Sequence, residues 1–195
     1  SLARFQQANF VNGDWRALLR PLATVLVPYG TLLAGYALGW GEIPWASVFL
    51  VGNFGFADPV RHTMLPYLYW FVELFTQILL LFAALSILPR ARTAVAHNPF
   101  AVGLWMLAFS VGLRFLLPLV VDIGNRQIFT LYWNLHLVAF GWCARLAPGP
   151  RSRALLAALA AVLFFVLGFV DGVWIGTTVK YLVVFTGFLA LLFLP

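Results

Sequence analysis

Six apolar runs dominate this chain, at residues 18–38, 66–88, 99–121, 127–146, 154–170 and 178–194. A helix needs about 20 apolar residues to cross the hydrocarbon core of a bilayer. Soluble helices carry an apolar stripe and a polar face, whereas these runs are apolar on all sides. Composition agrees: hydrophobic residues make up 63% of the chain and charged residues 9%, against about 25% charged in an ordinary soluble domain. Too few polar side chains exist to cover a surface that faces water. A membrane barrel is excluded by pattern, because its strands alternate over about ten residues around a polar lumen. The expected fold is therefore all-α, a polytopic membrane helical bundle with about six transmembrane helices. It forms a single transmembrane domain over residues 1–195. Pro66 and Pro99 open two spans, where the missing N–H has no helical partner; Pro28 and Pro118 lie inside spans and predict bends.

A seventh apolar stretch, WASVFLVGNFGF at residues 45–56, is short and interrupted by Gly52, Asn53 and Gly55. It predicts a broken or re-entrant segment rather than a crossing. With no crossing there, Arg4, Arg16, Arg20, Arg90, Arg92, Arg145, Arg151 and Arg153 fall on one side. Arg61, Arg126 and Lys180 fall on the other, and Arg114 lies inside a span. The positive-inside rule makes the first side cytoplasmic, with both ends of the chain on it. The net charge of +6 follows from basic residues at the ends of apolar runs, a pattern that meets lipid headgroups and not nucleic acid. Cys143 is the lone cysteine, which rules out an intrachain disulfide or a cysteine metal cluster. No phosphate loop, metalloprotease helix or nucleophile elbow is present in the sequence. No permanently bound cofactor and no metal site are expected.

Ionisable groups within hydrocarbon cost at least a few kcal/mol, so they turn inward and find partners. Glu73 lies seven residues past Pro66, and Arg114 seven before Val121; at 1.5 Å per residue each sits roughly 10 Å below the same boundary. They are expected either to pair as a structural ion pair or to line one polar cavity open to the outer side. Tyr69 and Gln77 flank Glu73 at helical i−4 and i+4 spacing and extend a polar stripe. His136 lies nearer mid-membrane with Tyr132 one turn earlier on the same face, while Asn134 points elsewhere. His136 is either a satisfied bundle histidine or a member of the site. Asn53 either hydrogen-bonds a ligand or caps the break around it. Arg61 and His62 read as solvated loop residues, and His97-Asn98 before Pro99 as a helix start.

Three stretches carry a resemblance to the membrane acyltransferases of acyltransferase family 3, which includes bacterial O-acetylases of glycans. They are ARFQQANF…RALLRPLATVLVPY, GNFGFADP…TMLPYLYWFVELFTQILLLF and IFTLYWNLHLVAFGW. The second is similar to the family's outer segment and a helix with an aromatic–x–x–Glu signature, here Tyr69-Trp70-Phe71-Val72-Glu73. The resemblance implies that this is the C-terminal part of a longer acyltransferase-like bundle, since the first-span histidine of the family has no counterpart here. It implies acyl transfer from an acyl-CoA-like co-substrate to a hydroxyl on a glycan or lipid-linked saccharide, in a bacterial inner (plasma) membrane. By the resemblance, that absent histidine is the general base. Glu73 and Arg114 are then expected to orient the acceptor and offset charge near the carbonyl, with His136 a second polar contact in the catalytic group. Tyr69, Gln77, Asn53 and Tyr132 are the expected substrate contacts. Two other readings remain at this stage: a transporter or flippase component with broken helices, and a non-catalytic bundle that stabilises a partner.

Overall fold

The computed structural model describes residues 2–54, 64–121, 129–170 and 186–187, with side chains for 7–54, 70–121, 129–166 and 186–187. Every regular element among them is helical: α1 (Leu2–Asn12), α2 (Trp15–Trp40), α3 (Trp45–Val48), α4 (Met64–Ile87), α5 (Pro89–His97), α6 (Pro99–Leu116), α7 (Leu131–Leu146) and α8 (Pro150–Val170). Short 3₁₀ turns occupy Gly52–Phe54 and Leu117–Leu119. The chain forms two compact units, Ser1–Ala139 and Phe140–Pro195, divided within α7.

Local chemistry sets the helix ends. Asp14 opens α2, its Oδ1 accepting from the Ala17 N–H at 3.0 Å. Gly41 closes it at φ 70°, its N–H returning to the Ala37 carbonyl at 2.8 Å; the left-handed region suits a residue without Cβ. Pro21 and Pro28 lie within an uninterrupted α2, and the Thr24 and Thr31 hydroxyls donate to the Pro21 and Val27 carbonyls. Asn98 caps α6 through Ala101 N–H at 3.0 Å, as the Asn98-Pro99 pair predicts. Pro118 does not bend α6 but ends it: the α-helix stops at Leu116 and the chain tightens into the 3₁₀ turn. Proline offers no N–H to the next α-helical bond, and a tighter turn needs fewer such bonds.

Three helices are long and apolar enough to cross a membrane: α2, the Trp70–Ile87 part of α4, and Pro99–Leu119. Among the described residues the count is three, against about six expected. Helix α7 has 16 residues, and the expected run 178–194 lies outside the described residues except for 186–187. The short helices α1 and α5 were not expected. Their sequences, LARFQQANFVN and PRARTAVAH, are too polar and short to span.

In the first unit, α2 packs along α4, and α1 packs on α2, α4 and α5. Tyr29, Leu33 and Val72 centre a core joined by Val25, Leu26, Leu32, Tyr36 and Leu50. The surface is far more apolar than that of a soluble protein, and several polar groups lie inside. Leu38 is 88% exposed and Trp105 78%, while Glu73, Thr76, Ser86, Ser110, Thr130 and His136 are buried. Apolar groups outside and polar groups inside suit lipid as the solvent. At the end of α2, Tyr36 stacks on Trp40 at 4.7 Å, and Trp45 on Phe49 at 6.0 Å, as ring-rich segments do at membrane–water boundaries.

The two caps give a direct check. Asp14→Ala and Asn98→Ala should each lower unfolding stability in detergent by about 1 kcal/mol, read as a shift in thermal midpoint. No shift in either would mean that these ends are held by something other than their side-chain caps.

Candidate functional site

The segment expected to be broken is broken. Helix α3 lasts one turn, Leu50 takes a positive φ of 59°, and the chain passes into the 3₁₀ turn with Gly52 and Asn53 buried. A branched residue in the left-handed region is strained, so the surroundings must hold it. They do so from α4. Gln77 Nε2 donates to the Leu50 carbonyl at 2.8 Å, and Gln77 and Asn53 exchange amide bonds at 2.9 and 3.2 Å. Asn53 Nδ2 also donates to the Phe129 carbonyl at 3.1 Å, one turn before the body of α7. Asn53 is therefore a bracket between three segments rather than a helix cap.

Glu73 sits one turn before Gln77 and is fully buried. Its Oε2 accepts the Asn53 N–H at 2.7 Å and its Oε1 the Tyr29 hydroxyl at 3.1 Å. The Ser47 hydroxyl and the Gly52 N–H complete the set. Gly52 eases this approach, since a Cβ there would lie 3.0 Å from Glu73 Oε1 and 3.2 Å from Ser47 Oγ and would press on both. Every partner is a donor, which is what a carboxylate buried away from water requires.

Arg114 belongs to a different nest. It is buried at the end of α6, its Nη1 donates to the Trp133 carbonyl at 3.0 Å, and its guanidinium lies 3.7 Å from the centre of the Trp133 ring. A cation over an indole face is attracted by the ring quadrupole, most strongly when desolvated. The guanidinium charge acts on Tyr132 and His136. Both are buried on one face of α7, as their i,i+4 spacing predicts. Asn134 turns back to the Thr130 carbonyl at 3.0 Å. The Trp133 carbonyl also accepts a hydrogen bond from the buried His136 ring.

The structure thus separates the expected site residues into two groups. Glu73, Gln77 and Asn53 gather on the broken segment; Arg114, Tyr132 and His136 gather between α6 and α7. Glu73 and Arg114 are expected either to pair or to line one cavity; in the structure the partners of Glu73 are the four donors above. The side chain of Tyr69, and Arg61 and His62, lie outside the described residues. Tyr29, Ser47 and Trp133 were missed. Tyr29 follows Pro28 within a span, and a phenol at such depth needs a partner for its hydroxyl, a signal that marks it for Glu73. No family model, curated protein or solved structure matches the chain.

The donor set predicts unequal losses. Glu73→Gln places an amide N–H₂ against donors and should cost about 2–3 kcal/mol of stability, whereas Tyr29→Phe removes one bond and should cost about 1 kcal/mol. Thermal unfolding in detergent measures both, and equal losses would contradict the nest.

Proposed function

We propose that this chain is part of a membrane-embedded acyltransferase, moving an acyl group from an acyl-CoA-like donor to a hydroxyl of a glycan or lipid-linked saccharide. It lies in a bacterial inner membrane with about six spans and both ends of the chain cytoplasmic. The observation that carries the reading is the buried imidazole of His136 beside the buried guanidinium of Arg114. The stretches that resemble acyltransferase family 3 support it, and one of them, IFTLYWNLHLVAFGW, contains this imidazole.

The chemistry follows from those two groups. An acceptor hydroxyl gives its proton to the imidazole of His136 as its oxygen attacks the thioester carbonyl, forming the new C–O bond. The carbonyl oxygen becomes negative, and the fixed charge of Arg114 stabilises it at little reorganisation cost. Collapse breaks the C–S bond, and the imidazolium returns its proton to the departing thiolate. Glu73 has a different role in this scheme. Its acceptor sites are taken by protein donors, so it holds the broken segment and, through Asn53, the approach to α7. Tyr132 borders the imidazole on the same helix face, while Asn53 and Gln77 hold the broken segment together with Glu73.

A transporter or flippase component is the second reading, favoured by one observation: a broken segment wrapped around a buried carboxylate on a spanning helix, as in transporters with discontinuous helices. The test compares both. Membranes carrying the full chain are supplied with labelled acetyl-CoA, and label is followed into saccharides. His136→Gln and Arg114→Met should each lower transfer by about 100-fold or more without loss of folded protein. Undiminished transfer in both variants would refute the assignment of the pair. Saccharide movement across the bilayer without label transfer would favour the transporter.

A further inference from the structure

We propose that the junction of α1 and α5 is a binding site for a phosphate-bearing anion, held by Arg92 Nε and Asn9 Nδ2. Both nitrogens are buried and neither has a hydrogen-bond partner. Buried donors are almost always paired, and one left open calls for an acceptor that the structure does not itself contain. Here two lie on helices packed against each other.

Gly13 allows the guanidinium its position. It ends α1 at φ 71°, one turn after Asn9, and a Cβ there would fall 2.7 Å from Arg92 Nη1 and 3.3 Å from Arg92 Cδ. The glycine thus leaves room for the guanidinium beside the α1–α2 turn. Asp14, next in the chain, accepts the Ala17 N–H, and among the described residues no carboxylate hydrogen-bonds Arg92 Nε. The first turn of α2 adds Arg16, seated over Trp15 at 5.2 Å, and Arg20 one turn on; α5 adds Arg90. All three are exposed, so arginines outnumber the one nearby carboxylate, Asp14, above the two open donors.

A guanidinium Nε with a neighbouring Nη matches two oxygens of a phosphate, and an amide N–H₂ supplies a third bond. Exposed arginines at the end of a span attract anionic headgroups loosely and without geometry. The buried donor pair predicts something narrower, a site that distinguishes phosphate oxygens by position. The phosphate is that of a lipid headgroup or of a soluble phosphate ester. This inference does not depend on acyl transfer.

The purified full chain in neutral detergent tests it. Native mass spectrometry reads retention of phosphatidylglycerol against phosphatidylcholine, and equilibrium binding reads inorganic pyrophosphate. One of the two anions should bind the wild type, with roughly tenfold weaker binding for Arg92→Gln and for Asn9→Asp. Asn9→Asp is nearly isosteric, places a carboxylate beside Arg92, and should keep or raise the thermal midpoint, which separates lost binding from lost fold. Arg92→Lys keeps the charge but not the fork and should also weaken binding, while Arg90→Gln, which removes only a surrounding charge, should weaken it much less than Arg92→Gln. Retained phosphatidylglycerol that pyrophosphate does not displace identifies a lipid site; the reverse identifies a soluble phosphate. The proposal is overturned if neither anion binds, or if Arg90→Gln weakens binding as much as Arg92→Gln, since that describes diffuse attraction alone.

Discussion

A carboxylate placed among spanning helices has to find donors within the protein, and the Glu73 nest shows how far that demand reaches. Its donors come from three places: a phenol on α2, a hydroxyl at the end of α3, and two backbone N–H groups of the 3₁₀ turn. Burying the acid therefore fixes the position of α2 against α4 and seats the broken segment between them. The segment in turn can be irregular because α4 supplies partners for its backbone, with Gln77 taking the Leu50 carbonyl. Irregular backbone is tolerated at membrane depth only where protein satisfies it. One acid and one amide, a helical turn apart, supply that satisfaction.

The consequence travels further along the bracket. Asn53 is held through its own N–H by Glu73 and through its side chain by Gln77, and its second amide hydrogen reaches the Phe129 carbonyl. Trp70 adds a ring contact to Phe129 at 5.4 Å. The start of α7 is thereby referenced to α4, and α7 carries both Trp133, on which Arg114 rests, and His136. The two polar nests are separate in their bonds but share a mechanical frame.

The spans were legible because hydrocarbon thickness sets a length that sequence displays directly; α2, α4 and α6 fall within a few residues of the expected runs. The break at Gly52-Asn53 was legible for a similar reason, since glycine and asparagine interrupt an apolar pattern that is otherwise continuous. Glu73 and Arg114 stood out as charges in the wrong solvent. Their partners did not. Half of the donors to Glu73 are backbone N–H groups, which every residue has, and their direction depends on φ and ψ in a strained turn. Arg114 found an aromatic face and a carbonyl in place of the acid at similar depth, a choice set by the rotation of α6 and α7 about their own axes. Depth can be counted from sequence; rotation depends on packing of side chains that are nearly all apolar and nearly interchangeable. Helices α1 and α5 were hidden because neither length nor strong periodicity marks them.

Satisfied and unsatisfied groups divide the polar residues by role. A buried group whose lone pairs and protons are all engaged by protein is suited to holding structure, and Glu73 is such a group. A buried group left open is unfavourable in the unliganded fold and stands out when its neighbours are so fully paired. Among the described residues Asn9 Nδ2 and Arg92 Nε are left open where α1 meets α5. A bundle that pairs Glu73 four times over does not lack the means to satisfy a guanidinium. The proposed anion site gives those two donors an acceptor, just as the proposed acyl transfer would bring a hydroxyl to the imidazole beside Arg114.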